Sequence, residues 1–144
     1  MEPFPHHYPV QAQSKPTGSV TLSGPGLPAL SSNAPREFGG PGDEWSPESL
    51  LCAAVADCFV LTFRAIAAAS KLTWESLEVG VEGTLDRVEG GMRFTAMAIR
   101  PRLRVPAGTE ESRALRLLEK AEKGCLVTRS LAVTPTLEAQ VVVA

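Results

Sequence analysis

The feature that most constrains this chain is the run from Leu50 to Ala69, largely apolar and alanine-rich, with Asp57, Thr62 and Arg64 as its few polar interruptions. Its start is sharply marked. Ser46 is placed to cap a helix, Pro47 suits the first helical position, and Glu48 falls in the first turn, where the helix dipole favours an anion. The spacing predicts a helix of about 23 residues, approaching 35 Å at 1.5 Å per residue. A surface helix shows a polar face. This one is apolar nearly all round, so it lies centrally in a fold or against a second subunit. A chain of 144 residues would struggle to cover it alone, and a homodimer is the physical expectation.

The remaining segments alternate strands and helices. Residues 1–16 are polar and proline-containing and read as a flexible N-terminal arm; residues 17–144 read as a single domain. Gly18–Leu22 and Leu27–Leu30 flank the turn signal Gly24-Pro25-Gly26 as short strands. Ser32–Trp45 is a glycine- and proline-rich loop. In Leu72–Asp86 the period changes to two: Leu77, Val79, Val81 and Leu85 share one face, with Glu78, Glu82, Thr84 and Asp86 opposite. After the turn at Glu89-Gly90-Gly91, Arg93–Val105 returns with Met97, Ile99, Leu103 and Val105 on one face and Arg100, Arg102 and Arg104 on the other. Pro101 predicts an edge, a bulge or a break there. Thr109 is placed to cap a second helix that runs through Leu115 and Leu118 to Gly124, a C-cap signal. Val127–Ser130 forms a short turn, and Pro135–Val143 a last strand. The class is α+β.

Bulk properties exclude several functions. The formal charge of −2 gives no electrostatic reason to expect nucleic acid or an anionic membrane. No unbroken run of eighteen apolar residues predicts a membrane span. The N-terminus lacks the apolar block of a signal peptide, so a cytoplasmic protein is expected. The thiols Cys52, Cys58 and Cys125 are odd in number and not in metal-binding pairs. Neither a disulfide framework nor a structural zinc is expected, and no cofactor is implied.

Chemistry centres on the thiols. Cys58 sits mid-helix, where a cysteine is commonly a small core hydrophobe; it becomes reactive only if charge or backbone donors stabilise its thiolate. Cys125 follows a helix end and precedes a turn, beside free backbone donors. Two thiols so placed suit a peroxidatic and resolving pair: the first is oxidised to sulfenic acid, the second condenses with it. Cys52, six residues before Cys58, points to another face and reads as core. Glu48 is about 15 Å of helix rise from Cys58. Asp57 points elsewhere. Arg36, in the glycine-rich loop, could lower a thiol pKa and hydrogen-bond a peroxide, or be a solvated loop arginine. Arg129 shares a face with Cys125 if that segment is helical. Gly39-Gly40-Pro41-Gly42 lacks the residues of a nucleotide loop. Phe38, Trp45 and Phe59 are available to wall an apolar pocket.

Two segments carry a resemblance. Pro35-Arg36-Glu37-Phe38-Gly39-Gly40 followed by Trp45-Ser46-Pro47-Glu48-Ser49-Leu50-Leu51-Cys52-Ala53-Ala54-Val55-Ala56-Asp57-Cys58-Phe59, and Lys120-Ala121-Glu122-Lys123-Gly124-Cys125-Leu126-Val127-Thr128-Arg129-Ser130-Leu131, resemble the OsmC/Ohr family. The resemblance implies an OsmC-like fold, with antiparallel sheets around long central helices in an intertwined homodimer. It implies reduction of organic hydroperoxides, with Cys58 at the peroxidatic position, Cys125 at the resolving one, and Glu48 at the carboxylate that orients a catalytic arginine. A dithiol or lipoylated protein is the implied reductant. Two departures stand out. The Gly-Gly-Arg turn that carries the arginine in the hydroperoxide branch is replaced by Ser23-Gly24-Pro25-Gly26, leaving Arg36 as its substitute. Gly124 and Leu126 stand where His and Pro are usual. The alternative is an OsmC-like stress or ligand-binding protein with little or no catalysis, or a dimer whose thiols are inert.

Overall fold

The computed structural model describes residues 1–144 and divides into two compact units, Met1–Leu50 and Leu51–Ala144. In the first unit, β1 (Gln11–Gln13), β2 (Val20–Ser23) and β3 (Leu30–Ser32) form an antiparallel sheet in that order. The sequence reading assigned no strand as early as residue 11. β1 is exposed at all three positions and held by its pairing to β2, so no hydrophobic alternation announces it. The loop after β3 carries a 3₁₀ turn at Arg36–Phe38 and rejoins the sheet edge through a bridge from Ser32 to Trp45.

Helix α1 (Pro47–Ala69) begins where its cap was expected. Ser46 Oγ accepts the Ser49 N–H at 3.1 Å, and Ser49 Oγ accepts the Ser46 N–H at 2.9 Å, a reciprocal cap that satisfies two otherwise free donors. The helix ends without glycine. Lys71 takes the left-handed conformation (φ 56°), and the Leu72 N–H reaches back to the Ala67 carbonyl at 2.9 Å. The Arg113 guanidinium donates to the Ser70 carbonyl beyond the helix end.

In the second unit α1 buries Val55, Phe59, Phe63 and Ala67, spaced four apart and so forming one stripe. By length and composition alone α1 is apolar enough to cross a membrane. The stripe instead belongs to the domain core, together with residues of β4 (Ser76–Val88), β5 (Gly91–Val105) and α2 (Glu111–Gly124). The other sides of α1 are covered less, and Leu61 is half exposed. Phe63 packs edge-on to Trp74, with ring centroids 5.5 Å apart.

The β4–β5 hairpin follows the alternation read from sequence as far as Thr84. A register shift between Thr84 and Leu85 then breaks it, leaving Leu85 exposed rather than on the core face. β5 itself runs on through Pro101, which pairs with Val79 and is fully buried; the expected break falls in the neighbouring strand instead. The reason is the strand beyond. β6 (Thr136–Leu137) and β7 (Gln140–Val143) are two pieces along the same side of β5. The Ile99 and Val105 carbonyls accept from Glu138 and Ala144 on that side. Backbone alternation turns the Pro101 nitrogen the same way, into the interruption between β6 and β7, where no ladder donor is required. Both pieces run parallel to β5, so this sheet is mixed rather than wholly antiparallel; the chain returns through helices, the connection a parallel pairing demands. Arg100 ties three segments on the outer face, to Glu82 at 2.9 Å and Glu138 at 3.2 Å. Exposed as they are, these pairs contribute little stability.

α2 starts one residue later than its expected cap. Glu110 takes the N-cap position with no side-chain bond to the helix, and Thr109 lies outside. Gly124 is the last helical residue rather than the cap. Cys125 follows it in an extended conformation and opens α3 (Leu126–Arg129).

Gly83 of β4 sets a packing limit. A Cβ there would lie 2.8 Å from Cys52 Sγ and 2.8 Å from Phe94 Cε1. We expect Gly83→Ala to destabilise the protein by about 1–3 kcal/mol in chemical denaturation, overpacking outweighing the gain in strand propensity. Adding Cys52→Ala should recover part of the loss, and a Gly83→Ala variant as stable as the parent would contradict this packing.

Candidate active site

The site grows from a break between two helices. Cys125 closes α2 and opens α3 with φ −69° and ψ 114°, an extended geometry that stops one helix and starts the next. Its carbonyl accepts the Arg129 N–H and the Thr128 hydroxyl, both at 3.1 Å. Its side chain caps nothing. The first N–H groups of a helix have no partner within the helix. Here those of Leu126 and Val127 act on a group from elsewhere in the fold, the Cys58 thiol.

Cys58 is half-buried, four residues from Thr62 on the same face of α1, with Sγ 3.9 Å from Thr62 Oγ1. Burial pushes its pKa up. The Val127 N–H, the Cys125 thiol, the Thr62 hydroxyl and the Leu126 N–H push it down, and together they prevail, so the thiol lies below its ordinary range. All four are neutral dipoles, and each favours the thiolate by hydrogen bonding. Cys125 is fully buried and shifts the other way. Burial raises its pKa, its bonds with Thr128 lower it, and the neighbouring Cys58 raises it again through hydrogen bonding and charge. The opposite directions describe one shared interaction, which favours charge on Cys58 over charge on Cys125. Both thiols are free.

The structure thus places Cys58 and Cys125 near enough for each to act on the other's thiol. Asp57, beside Cys58 in sequence, is exposed. The segment bearing Arg129 is helical, and Arg129 is exposed. Cys52 packs against the core by Gly83. Of the residues in the first unit, Arg36 is exposed, lies over Gly42 and makes no ion pair. Glu48 holds one carboxylate oxygen, Oε1, buried without a hydrogen-bond partner. Trp45 and Phe38 are about half exposed, at 47% and 49%, whereas Phe59 is fully buried in the core cluster.

Thr62 and Thr128 were not expected at the site, and the backbone donors expected beside Cys125 act on Cys58. Thr62 carried a signal, a polar residue on a cysteine's face of an apolar helix. Thr128 carried another, a threonine three residues after a cysteine at a helix junction. No groups of three or more histidine, cysteine or acidic side chains are placed to hold a metal ion.

Comparison with known proteins follows the same lines. A family model described as "OsmC-like protein" matches residues 40–140. Peroxiredoxin OsmC of Escherichia coli is 30% identical over 95 residues, covering 66% of each chain. An uncharacterised Bacillus subtilis protein, YmaD, is 30% identical over 100 residues, covering 67% of each. These alignments span about two thirds of the relatives' own length. A Legionella pneumophila structure, titled an organic hydroperoxide resistance protein OsmC, superposes with a TM-score of 0.75 at 26% identity, covering 94% of this chain and 96% of that one.

The environment of the two thiols makes a pH prediction. A lowered pKa gives Cys58 a larger thiolate fraction at neutral pH. Its alkylation should fall only as pH drops through that lowered value, whereas Cys125 should react appreciably only under alkaline conditions. Peptide-resolved iodoacetamide kinetics on the reduced protein check this; equal rates for the two thiols across the pH range would contradict it.

Proposed function

The chain belongs to the OsmC-like family, and on that premise we propose that it is a thiol-dependent peroxidase that reduces organic hydroperoxides through Cys58 and a Cys58–Cys125 disulfide. The observation that carries this reading is the meeting of the two thiols under the N–H groups of Leu126 and Val127. The Cys58 thiolate attacks one oxygen of the peroxide. The O–O bond breaks, an alkoxide leaves and takes a proton to become the alcohol, and Cys58 becomes sulfenic acid. The Cys125 thiol gives up its proton and attacks that sulfur; the S–O bond breaks, water leaves and the disulfide forms. A dithiol reductant, such as a lipoylated protein, gives two electrons and two protons to the disulfide, restores both thiols and leaves as its own disulfide.

The family motif extends the proposal to Arg36 and Glu48. The buried, unpartnered Oε1 of Glu48 supports its role as an acceptor for a guanidinium. Arg36, with no ion pair of its own, is the arginine proposed for it. Phe38 and Trp45 expose aromatic surface suited to an organic peroxide, with Phe59 as core behind Cys58. The half-exposed Leu61 on the least covered side of α1 supports a homodimer in which a second copy covers that helix. A cytoplasmic site of action suits three free thiols.

The missing hairpin arginine and the exposed position of Arg36 favour a second reading, an OsmC-like binding protein with weak catalysis. Turnover separates the two. With an alkyl hydroperoxide and a dithiol reductant the protein should turn over, and Cys58→Ser should lower kcat/KM by about a hundredfold or more, the loss expected of a nucleophile. Turnover unchanged in Cys58→Ser would end the peroxidase reading.

A further inference from the structure

Thr62 is the polar residue in the middle of α1 to which the peroxidase steps above assign no part. Its hydroxyl lies 3.9 Å from Cys58 Sγ, and that contact is its one side-chain hydrogen bond. Its methyl faces the other way: a Cβ built on Gly124 would sit 3.5 Å from Thr62 Cγ2. Thr62 is half-buried. It thus stands between the attacking thiol and the last residue of α2, immediately before Cys125. A hydroxyl in an otherwise apolar stretch would more commonly bond back to the carbonyl four residues earlier. Here it turns to the sulfur instead.

We propose that Thr62 is a positioning residue for Cys58: its hydroxyl donates to the sulfur and, with the Leu126 and Val127 N–H groups, fixes the thiolate on the side that faces Cys125, while its methyl packs against Gly124. This rests on the reading of Cys58 as the attacking thiol. A thiolate accepts hydrogen bonds readily and has no directional partner of its own, so a donor on the helix side and donors from the α3 side define where its charge sits. The titratable group facing it is Cys125, and the lowered pKa of Cys58 includes a Thr62 contribution in the same direction.

The test is the pH dependence of Cys58 alkylation in the full-length reduced protein, followed by peptide mass spectrometry. Thr62→Val keeps the shape and removes the hydroxyl. It should raise the midpoint of Cys58 alkylation by about half a pH unit or more and slow the reaction at pH 7 about threefold. Thr62→Ser keeps the hydroxyl and should restore the parental midpoint. Thr62→Ala also removes the hydroxyl, with less bulk, and should shift the midpoint in the same direction. A valine or alanine midpoint equal to the parent's, or a serine variant shifted as far as valine, would overturn the proposal. Because alkylation needs no peroxide, a shift in the valine variant combined with no peroxide turnover in the parent would sink the peroxidase reading and leave the Thr62 contact standing.

Discussion

The second unit is organised around one backbone event, the break at Cys125. Two helices meet there, and the extended residue between them leaves the N–H groups of Leu126 and Val127 free of helical partners. The first N–H groups of a helix have no acceptor within it, and those of Leu126 and Val127 act on the Cys58 sulfur, lowering its pKa and favouring the thiolate. Without the break, α2 would run on through residue 126 and its N–H groups would be spent on the helix.

This arrangement needs α1 held rigidly against the sheet. The stripe Val55, Phe59, Phe63 and Ala67 does that, since each residue is fully buried and the two phenylalanines bring the largest apolar area. Cys58 precedes Phe59 directly and lies about 100° around the helix from it. The stripe fixes the rotation of α1, and that rotation aims the thiol and Thr62 toward the α2–α3 junction. β5 supplies the other wall of the core, and its continuity through Pro101 depends on the gap between β6 and β7.

Much of this was legible in the residues themselves, and the pattern of misses is physical. The start of α1 could be read because a serine cap and a proline at the first position act within one turn. The core face of β5 could be read because alternation is local. Leu85 was misplaced because the register shift at Thr84 is a property of the strand pair. Pro101 announced a break, but which strand breaks depends on a neighbour some forty residues further on. The parallel return of β6 and β7 depends on the helical crossover, which periodicity does not encode. At the site, each thiol stood out in its own segment, and the family motifs flagged both. Their meeting, and the turn of the Thr62 hydroxyl toward sulfur, are tertiary facts. Phe59 illustrates the same limit, for an aromatic beside a candidate nucleophile can serve the core entirely.

The central claim is that the two sulfurs are near enough, and Cys58 charged enough, for oxidation to pass from one to the other. The most direct measurement is peptide mapping of the non-reduced protein after one equivalent of an alkyl hydroperoxide. The account predicts a Cys58–Cys125 bond as the main product, with Cys52 still free. Sulfinic acid accumulating on Cys58 while Cys125 stays reduced, or no change at either thiol, would contradict it.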